Sequence, residues 1–590
     1  MRARPLRRSA AAGATGAGRV RRVASLGLLV CLAVLAGCAT VPEHSSVQVL
    51  RQTRDNGAAV PDGPIEDGDP LGLVRGFVYA SGRPDDRHAA ARRYLAATAS
   101  EWDDGASLTV LSERFDTVFA PDSADAGPER AVVRMRGTRI GTVSPAGAFE
   151  TDPRPVEVDI GVVRQGDHWR IEHLPPGAMV RLSDFRASYR SLRAWFVDPT
   201  RGMLMSDTHY IPSTRPSELA ARATEVLLHG PSSGLTGAAV TLFPATARLR
   251  SAVSESADGA VVVDLAGVSG LSDRDRRLLA AQVSLTLAEV SVHRVRLLSD
   301  GEPLLADRPE VTRDDFADLV GTPERLPAHP LVVDGGRVRR LAENGQATPV
   351  AGQAGNGSFD VVDAAASTRD DRIAVVSREE SGTQRLLTGP ADGRLTATPV
   401  SGAVVTALSW NAAGDEIWAV ADGRLHRVAA PADGPPVEAP VDTSRLDRHG
   451  EIADVAFSRE GGRIAVAAGG RALVGPVVPG PDGRVAIGEL RELRPGELED
   501  VVAVDWRSNE QLVVAADSER PVALVSVDGL TLDHVPGTNL TSPLRAVAAA
   551  PGRPIYVSDR TGLWSYSGGD LDAWRQTVGS STAARPFYPG

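Results

Sequence analysis

Residues 406–420 read TALSWNAAGDEIWAV: a strand-like run, a polar turn and a second strand-like run. The same order returns along the C-terminal half of the chain. The other copies are DRIAV at 371–375, DVAFSREGGRIAV at 454–466, AVDWRSNEQLVV at 503–514 and AVAAAPGRPIYV at 546–557. One aliphatic position per copy falls at Ile373, Ile417, Ile464, Leu512 and Ile555, so the copies lie 44, 47, 48 and 43 residues apart. A repeat of that length, with short strands and Gly/Asp turns, is typical of a four-stranded propeller blade.

A further blade is predicted ahead of these five copies. Leu331–Val333, Arg337–Leu341 and 347–350 can form three strands that lack an inner fourth. Residues 583–588 can supply that strand, which would join the two ends of the domain and leave no open sheet edge. We therefore predict an all-β propeller over 329–590, with six blades.

Large aromatic residues recur at equivalent positions of the repeat, at Trp410, Phe457 and Trp506. Two roles fit this recurrence: stacking on a ligand, or packing between neighbouring blades. Packing is the favoured interpretation, because each repeat must bury one face against the next.

The segment 67–187 mixes helical and strand periodicity, which predicts a small α+β domain. Leu71, Val74, Phe77 and Val78 lie at helical spacing, and a second helix is predicted from Arg87 to Trp102. Predicted strands follow at 108–111, 131–135, 156–163 and 169–171, with a turn at Gln165-Gly166-Asp167 before the last. Helices followed by a curved sheet favour an NTF2-like or cystatin-like shape.

The segment 188–312 predicts a second α+β domain. Strands are expected at 194–197, 261–265 and 295–298. One helix should begin near Pro216 and end at Gly230-Pro231. Another should follow Ser272, whose hydroxyl can cap it, with Asp275 near its positive end. Residues 313–328 are rich in Pro, Asp, Arg and Glu, and are expected to link this domain to the propeller.

The first 37 residues are typical of an export signal. Seven arginines and no acidic residue precede an apolar run from Val23 to Gly37, which is shorter than the roughly 20 residues that a membrane-spanning helix needs. The run ends in Leu35-Ala36-Gly37-Cys38, which resembles the bacterial lipobox, where the cysteine is diacylated and becomes the new N-terminus. We predict signal cleavage between Gly37 and Cys38 and lipidation of Cys38. The alternative is a simple membrane anchor with a chance cysteine.

Residues 38–66 predict a tether that holds the folded body at the outer face of the cytoplasmic membrane. The chain has two cysteines, Cys31 and Cys38, so processing would leave no free thiol and no disulfide. The formal charge of the whole chain is −11, and removal of the basic leader makes it more negative. Such a body is repelled by anionic lipid heads and nucleic acid, so we expect membrane contact through the acyl chains and no nucleic-acid partner.

The sequence contains none of the common catalytic or cofactor-binding motifs. All 64 basic residues are arginine, which excludes Schiff-base lysines, phosphate-loop lysines and serine–lysine dyads. The closest histidines, His168 and His173, have no cysteine partner for a metal. Three carboxylate pairs, Asp370/Asp371, Asp273/Asp275 and Glu499/Asp500, are better explained as solvated loop residues than as a glycosidase pair. We therefore predict no catalytic residue, no cofactor and no metal.

Short segments along the whole chain carry a family resemblance. In the second domain they are Leu227-Leu228-His229-Gly230-Pro231, Asp258-Gly259 with Val261–Leu265, and Gln282 with Thr286-Leu287. Elsewhere they are Cys38-Ala-Thr-Val-Pro42, Asp69-Pro70 with Leu73-Val-Arg75-Gly-Phe77, and Phe587-Tyr-Pro-Gly590. The first set resembles the GerMN domain of sporulation and germination proteins. All of them, in this domain order, resemble the LpqB family, actinobacterial lipoproteins associated with the MtrA/MtrB two-component system.

The resemblance implies an accessory lipoprotein of a sensor histidine kinase. Its extracytoplasmic domains would contact an MtrB-like sensor domain and modulate phosphorylation of the response regulator, with effects on cell-wall homeostasis and division. Only Cys38 is carried over by motif. Two other functions stay open: an enzyme that acts on cell-wall glycan or peptide, and a structural surface lipoprotein that binds a wall polymer.

Overall fold

The computed structural model describes residues 63–64, 68–121, 123, 127–320, 329–342, 345–369, 371–568, 573–579 and 584–590. Residues Val60–Gly590 form one compact unit. The predicted signal and nearly all of the predicted tether lie outside the described residues. Of the helices within them, none has the length and apolar character needed to cross a membrane.

The first domain packs helices against a five-stranded sheet. Helix α1 (Pro70–Ser81) begins after Asp69, whose Oδ1 accepts a hydrogen bond from the N–H of Gly72 (2.7 Å). Its buried face covers the sheet with Leu73, Val74, Phe77 and Val78, the spacing that predicted the helix. The strands are β1 (Leu108–Phe119), β2 (Arg130–Val143), β3 (Phe149–Gln165), β4 (His168–His173) and β5 (Ala178–Arg181). Their order is β4-β3-β2-β1-β5, with β1 and β5 parallel and the other pairs antiparallel.

The second helix of this domain is shorter than predicted. Helix α2 (Asp85–Arg92) ends before Tyr94, and a short 3-10 turn at Ala97–Ala99 follows. The N–H of Ala96 donates to the carbonyl of Ile171 (2.8 Å), and the N–H of Ile171 donates to the carbonyl of Tyr94 (2.9 Å). This segment therefore pairs with β4, and the tertiary contact overrides the helical spacing of its apolar residues.

The second domain joins a hairpin, a mixed sheet and two long helices. Helix α3 (Leu182–Ser188) precedes it and packs on the first domain, with Phe185 in that core. In chain order the elements of the second domain are β6 (Tyr189–Val197), β7 (Leu204–Pro212), α4 (Pro216–His229), β8 (Arg248–Leu249), β9 (Ser254–Glu255), β10 (Val261–Ala266), α5 (Asp273–Ala288), β11 (Val295–Ser299) and β12 (Glu302–Pro303). Strands β6 and β7 pair as the hairpin, while the sheet order is β12-β11-β10-β8, with β9 also on β10. Because β10 and β11 are parallel, α5 is the crossover of a βαβ unit.

Helix α5 forms the centre of the second domain. The predicted cap is confirmed, because the Ser272 hydroxyl oxygen accepts the N–H of Asp275 (3.2 Å). Ten consecutive residues, from Leu278 to Leu287, are buried, since the helix lies between α4, β6 and a later 3-10 turn. A helix buried on all sides explains why its apolar pattern is broad rather than one-sided.

The start of the segment predicted as a linker is folded instead. Arg313–Leu319 is a 3-10 helix closed by a capping box between Thr312 and Asp315. Phe316 is buried in the core of the second domain. One aromatic anchor thus folds a segment whose other residues are mostly charged. Residues 321–328 lie outside the described residues.

The C-terminal domain is the predicted six-bladed propeller. Blade 1 consists of Leu331–Asp334, Arg337–Leu341, Ala347–Pro349 and Arg585–Phe587. Blade 2 consists of Asp360–Ala366, Arg372–Arg378, Gln384–Pro390 and Thr396–Gly402. Blade 3 consists of Val405–Trp410, Glu416–Ala421, Arg424–Ala429 and Val437–Ala439. Blade 4 consists of Val441–Asp442, Ile452–Phe457, Arg463–Ala468, Arg471–Pro479, Val485–Ile487 and Arg491–Glu492. Blade 5 consists of Val501–Ser508, Gln511–Ala516, Val522–Ser526 and Leu532–Val535. Blade 6 consists of Ala546–Ala548, Ile555–Ser558, Gly562–Tyr566 and Arg575–Gly579.

The ring closes as predicted. Arg585–Phe587 is the inner strand of blade 1 and pairs antiparallel with Leu331–Asp334, so that Leu331 lies opposite Phe587. Blade 1 therefore takes strands from both ends of the domain, which leaves no unpaired inner edge at that point.

Candidate functional site: the seam between the domains

The predicted lipidation residues, Gly37 and Cys38, lie outside the described residues, so lipidation remains a prediction. The first described residue is Gly63, whose carbonyl accepts a hydrogen bond from Tyr94 Oη (3.2 Å). The predicted tether thus meets the folded body at the first domain.

The recurring aromatic residues pack between blades, as favoured from the sequence. Trp410 Nε1 of blade 3 donates to the Ala365 carbonyl of blade 2 (3.1 Å). Trp506 Nε1 of blade 5 donates to the Ala456 carbonyl of blade 4 (2.9 Å). Phe457 lies against Trp418, with ring centroids 4.6 Å apart. All three residues are buried.

The residues considered for metal or acid–base chemistry remain spread over the surface. His168 and His173 lie on β4, Asp275 belongs to the cap of α5, and Glu499 and Asp500 are exposed. Among the described residues, no three His, Cys, Asp or Glu side chains are grouped so that they could hold a metal ion.

Buried charges concentrate where the second domain meets blade 4, a contact we call the seam. It comprises Ser206, Asp207 and His209 of β7 with Glu460 and Arg463 of blade 4. Glu460 lies in the turn between the strands Ile452–Phe457 and Arg463–Ala468, and Arg463 is the first residue of the second of these. That turn is closed by the N–H of Gly461 to the Ser458 carbonyl (2.7 Å). A side chain at Gly462 would meet the sulfur of Met205 on β7, so a larger residue there would push the buried Met205 side chain aside.

Arg463 is the centre of the seam. Its Nη2 donates to Asp207 Oδ1 (2.7 Å), and its Nη1 donates to Glu460 Oε1 (3.1 Å) and to the Ser206 carbonyl (3.0 Å). Glu460 Oε2 also accepts the N–H of Ser206 (3.0 Å) and the amide of Asn509 (2.9 Å). The Arg463, Asp207 and Glu460 side chains are each at most 3% exposed, so the charges are satisfied by one another and not by water.

The pKa values of the two buried carboxylates, Asp207 and Glu460, are shifted in opposite directions. Burial acts to raise the pKa of Asp207, but hydrogen bonding to His209 and the charges of His209 and Arg463 hold that pKa at about 2. For Glu460 burial prevails, and its pKa rises to about 7 despite Arg463 and Ser206. Asp207 therefore carries the permanent negative charge of the seam, while Glu460 titrates near neutrality.

His209 extends the seam to the first domain. Its Nε2 contacts Asp207 Oδ2 (3.1 Å), and its Nδ1 contacts the Ala146 carbonyl in the loop between β2 and β3 (2.8 Å). The imidazole is fully buried, which makes it a fixed link between the two α+β domains.

Blade 5 adds contacts to both α+β domains. Arg193 forms an ion pair with Glu510, and Tyr210 Oη donates to Asp528 Oδ2 (2.7 Å). Leu530 is 3% exposed and belongs to the hydrophobic core of the first domain. The three domains thus meet over blades 4 and 5, through the polar contacts of the seam and the apolar contact of Leu530 with the first domain.

The central channel of the propeller forms a second polar site, a cavity of about 230 Å³. Asp363 accepts from Thr406 (3.2 Å) and Arg585 (3.3 Å). Asp454 Oδ2 accepts a hydrogen bond from the N–H of Val504 (3.0 Å), and Asp505 Oδ2 accepts one from the N–H of Ala549 (2.7 Å). Each carboxylate therefore links its blade to the next. Burial raises the pKa of Asp454 to about 7 and that of Asp505 to about 6.

Sequence reasoning missed both sites, for a reason that the geometry shows. Glu460 and Arg463 belong to an ordinary polar turn of the repeat, and their partner Asp207 lies in another domain. The channel aspartates lie inside the inner strands of their blades, as polar residues in runs that are otherwise mostly apolar. Asp363, Asp454 and Asp505 each stand three residues before the end of their strand, and that shared position was the signal available in the sequence.

Comparison with known proteins agrees with this three-domain order, in which two α+β domains are held against a propeller. Residues 63–186 match the family described as Lipoprotein LpqB, N-terminal domain, residues 194–305 match Sporulation and spore germination, and residues 336–589 match Lipoprotein LpqB beta-propeller domain. These three matches follow one another along the chain and cover each folded domain in turn.

Full-length relatives make the assignment specific. Lipoprotein LpqB of Mycolicibacterium smegmatis is 30% identical over 571 residues, covering 92% of this chain and 95% of its own. Lipoprotein LpqB of Nocardia farcinica is 32% identical over 604 residues, covering 95% and 97%. The chain belongs to the LpqB family of lipoproteins.

Solved structures are similar in part of the chain only. A nidogen/laminin complex matches 44% of this chain and 98% of its own, at 11% identity and a TM-score of 0.33.

Proposed function

We propose that this chain is an extracytoplasmic accessory lipoprotein, held at the outer face of the cytoplasmic membrane by lipid on Cys38, that binds and modulates a sensor histidine kinase. Its partner is the extracytoplasmic sensor domain of that kinase. It acts by contact and carries out no reaction of its own. Membership of a lipoprotein family supports the anchoring, and the domain arrangement supports the contact.

The observation that carries the proposal is the seam. If the three domains were joined only by flexible linkers, a partner bound to the propeller would have no effect on the first domain, where the tether begins. Here Arg463, Asp207 and His209 join all three through buried hydrogen bonds, and separation of Arg463 from Asp207 would leave charges unpaired. The domains therefore respond to a partner as one body.

A partner surface is available on the side of the propeller away from the seam. The seam uses the turns between first and second strands, and Val404 lies at the opposite end, in the connection from blade 2 to blade 3. Val404 is 56% exposed, which makes it the position at this end of the propeller best suited to probe for a protein contact. Val437 is also exposed, but it pairs with Ala429 at the seam end of blade 3.

Photo-crosslinking in living cells tests this proposal. A photoreactive amino acid at Val404 should capture a sensor kinase, while the same residue at Val437, an exposed valine at the seam end of blade 3, is the matched control. If the Val404 position captures no kinase while the protein is present and lipidated, the proposal fails.

A second candidate function, binding of a cell-wall polymer, is favoured by the channel. Its carboxylates, Thr406 and Arg585 offer hydrogen-bond partners of both kinds to a polymer rich in hydroxyl and amide groups. Co-sedimentation with purified cell wall distinguishes this function. Binding that Asp454→Asn weakens would support it, and absence of the protein from the pellet would remove it.

A further inference from the structure

A cavity of about 390 Å³ lies where all three domains meet. Phe149 and Glu150 line it from the first domain, Thr208 and Ser233 from the second, and Arg491 and Asp528 from the propeller. Its volume is at the lower end of the range for small-molecule sites, which is roughly 300–1,000 Å³. The room suits a ligand the size of an amino acid or a short peptide.

Arg491 is the unusual group on the wall of this cavity. Its Nη2 donates to the Val527 carbonyl (2.8 Å), and its Nε is buried without a hydrogen-bond partner among the described residues. Within the same residues no carboxylate forms an ion pair with it, unlike Arg463 at the seam. Burial lowers the pKa of its guanidinium, with only partial compensation from Asp528 and Glu150. Arg491 as a whole is half-buried, and a cation whose Nε is shielded from water without a direct counter-ion is costly unless a ligand completes it.

Most carboxylates around the cavity are already engaged. Asp207 is paired with Arg463, Asp528 accepts from Tyr210, Asp152 pairs with Arg139, and Glu489 pairs with Arg448. Glu150 is the exception: it is exposed and has no ion pair in the described part of the chain. The cavity thus offers one unpaired cation in its wall and one unpaired anion on its solvent side.

We propose that this cavity binds a small zwitterionic ligand, an amino acid or a short peptide, with Arg491 receiving its carboxylate and Glu150 its ammonium group. A guanidinium matches a carboxylate by paired N–H···O bonds, and a carboxylate at the mouth matches an ammonium ion. The hydroxyls of Thr208 and Ser233 are available to the peptide groups between them. Because the walls come from three domains, the ligand stabilises their assembly by mass action.

Isothermal titration of the full chain in detergent with L-alanyl-L-alanine tests this inference. Arg491→Gln should weaken binding at least tenfold, and Glu150→Gln should weaken it too. The C-terminally amidated dipeptide should bind the wild type at least tenfold more weakly, with no further loss in Arg491→Gln, because both changes remove the same contact. Arg520→Gln, an exposed arginine of blade 5 away from the cavity, is the control and should bind like the wild type.

Thermal melting separates a ligand contact from a structural role. Without ligand, Arg491→Gln should melt at or above the wild-type temperature, because it removes a half-buried charge that has no counter-ion among the described residues. At one dipeptide concentration, the melting temperature of the wild type and of Arg520→Gln should rise, and that of Arg491→Gln should rise much less. No saturable binding in the millimolar range, or equal affinity in Arg491→Gln or Glu150→Gln, overturns the inference. This test uses the isolated protein, so it succeeds or fails independently of the kinase proposal.

Discussion

Arg463 joins acceptors from two domains with a single side chain. Its guanidinium binds Asp207 and the Ser206 carbonyl of the second domain and Glu460 of its own turn, all away from water. Removing one member of such a set leaves the others as uncompensated buried charges. The whole domain arrangement therefore depends on this residue more than on any exposed ion pair of the surface.

Arg463→Met should destabilise the protein by about 3–5 kcal/mol, because Asp207 and Glu460 lose their cation but stay buried. Urea denaturation followed by circular dichroism measures the loss. Arg484→Met, an exposed arginine of the same blade, is the control and should change stability by less than about 0.5 kcal/mol. A loss no larger than that of the control would contradict the role assigned to Arg463.

The raised pKa of Glu460 predicts a pH dependence of stability. The raised pKa keeps a proton on Glu460 in the folded protein up to about pH 7, whereas the ordinary glutamate pKa of 4.5 applies once the chain unfolds. Between these values the folded state binds more protons, so stability falls as the pH rises from 4.5 to 7. Glu460→Gln should reduce this fall, with the urea midpoint compared at pH 5 and pH 7.5. Glu489→Gln, an exposed carboxylate, should keep the wild-type fall; equal slopes in Glu460→Gln and wild type would refute the assignment.

The helices and strands show where local sequence is sufficient. Period and turn residues located α1, α4, α5 and the propeller blades. Helices α1 and α4 each bury one regular face, whereas α5 was located by its cap at Ser272 and the blades by their repeat length. Helix α2 was predicted too long because its last apolar residues, Tyr94 and Leu95, pair with β4 instead. Strand β7 was not predicted at all, and it carries Asp207 and His209 of the seam. Contacts between distant segments decided both cases.

Closure of blade 1 gives a prediction at the level of a strand. A chain ending at residue 583 lacks Arg585–Phe587 and the buried Tyr588, so it should lose at least about 2 kcal/mol and melt earlier. A synthetic peptide of residues 584–590 should restore part of the melting temperature, and a scrambled peptide should not. If the shortened chain melts like the full one, the ring is closed by something other than this strand.

At the level of the whole molecule, the order of three domains was predictable from repeats and short family segments. Their mutual arrangement was not, because it depends on pairs such as Arg463 with Asp207, which lie 256 residues apart. The cavity at Arg491 depends on the same arrangement, so no single segment could have indicated it.

The predicted attachment of the whole chain to the membrane can be tested by changing one residue, Cys38. Cys38→Ala should abolish incorporation of radiolabelled palmitate and leave the signal uncleaved. Cys31→Ala lies inside the predicted signal and should be processed and labelled normally. Normal processing and labelling of Cys38→Ala would show that the lipobox assignment is wrong.

The most direct test of the kinase proposal is the phosphorylation rate of a purified sensor kinase and its response regulator in liposomes. We predict that adding the lipidated full-length protein changes this rate at least twofold, while an unrelated lipoprotein at the same density does not. An unchanged rate, with both proteins shown to reside in the same membrane, would contradict the proposal.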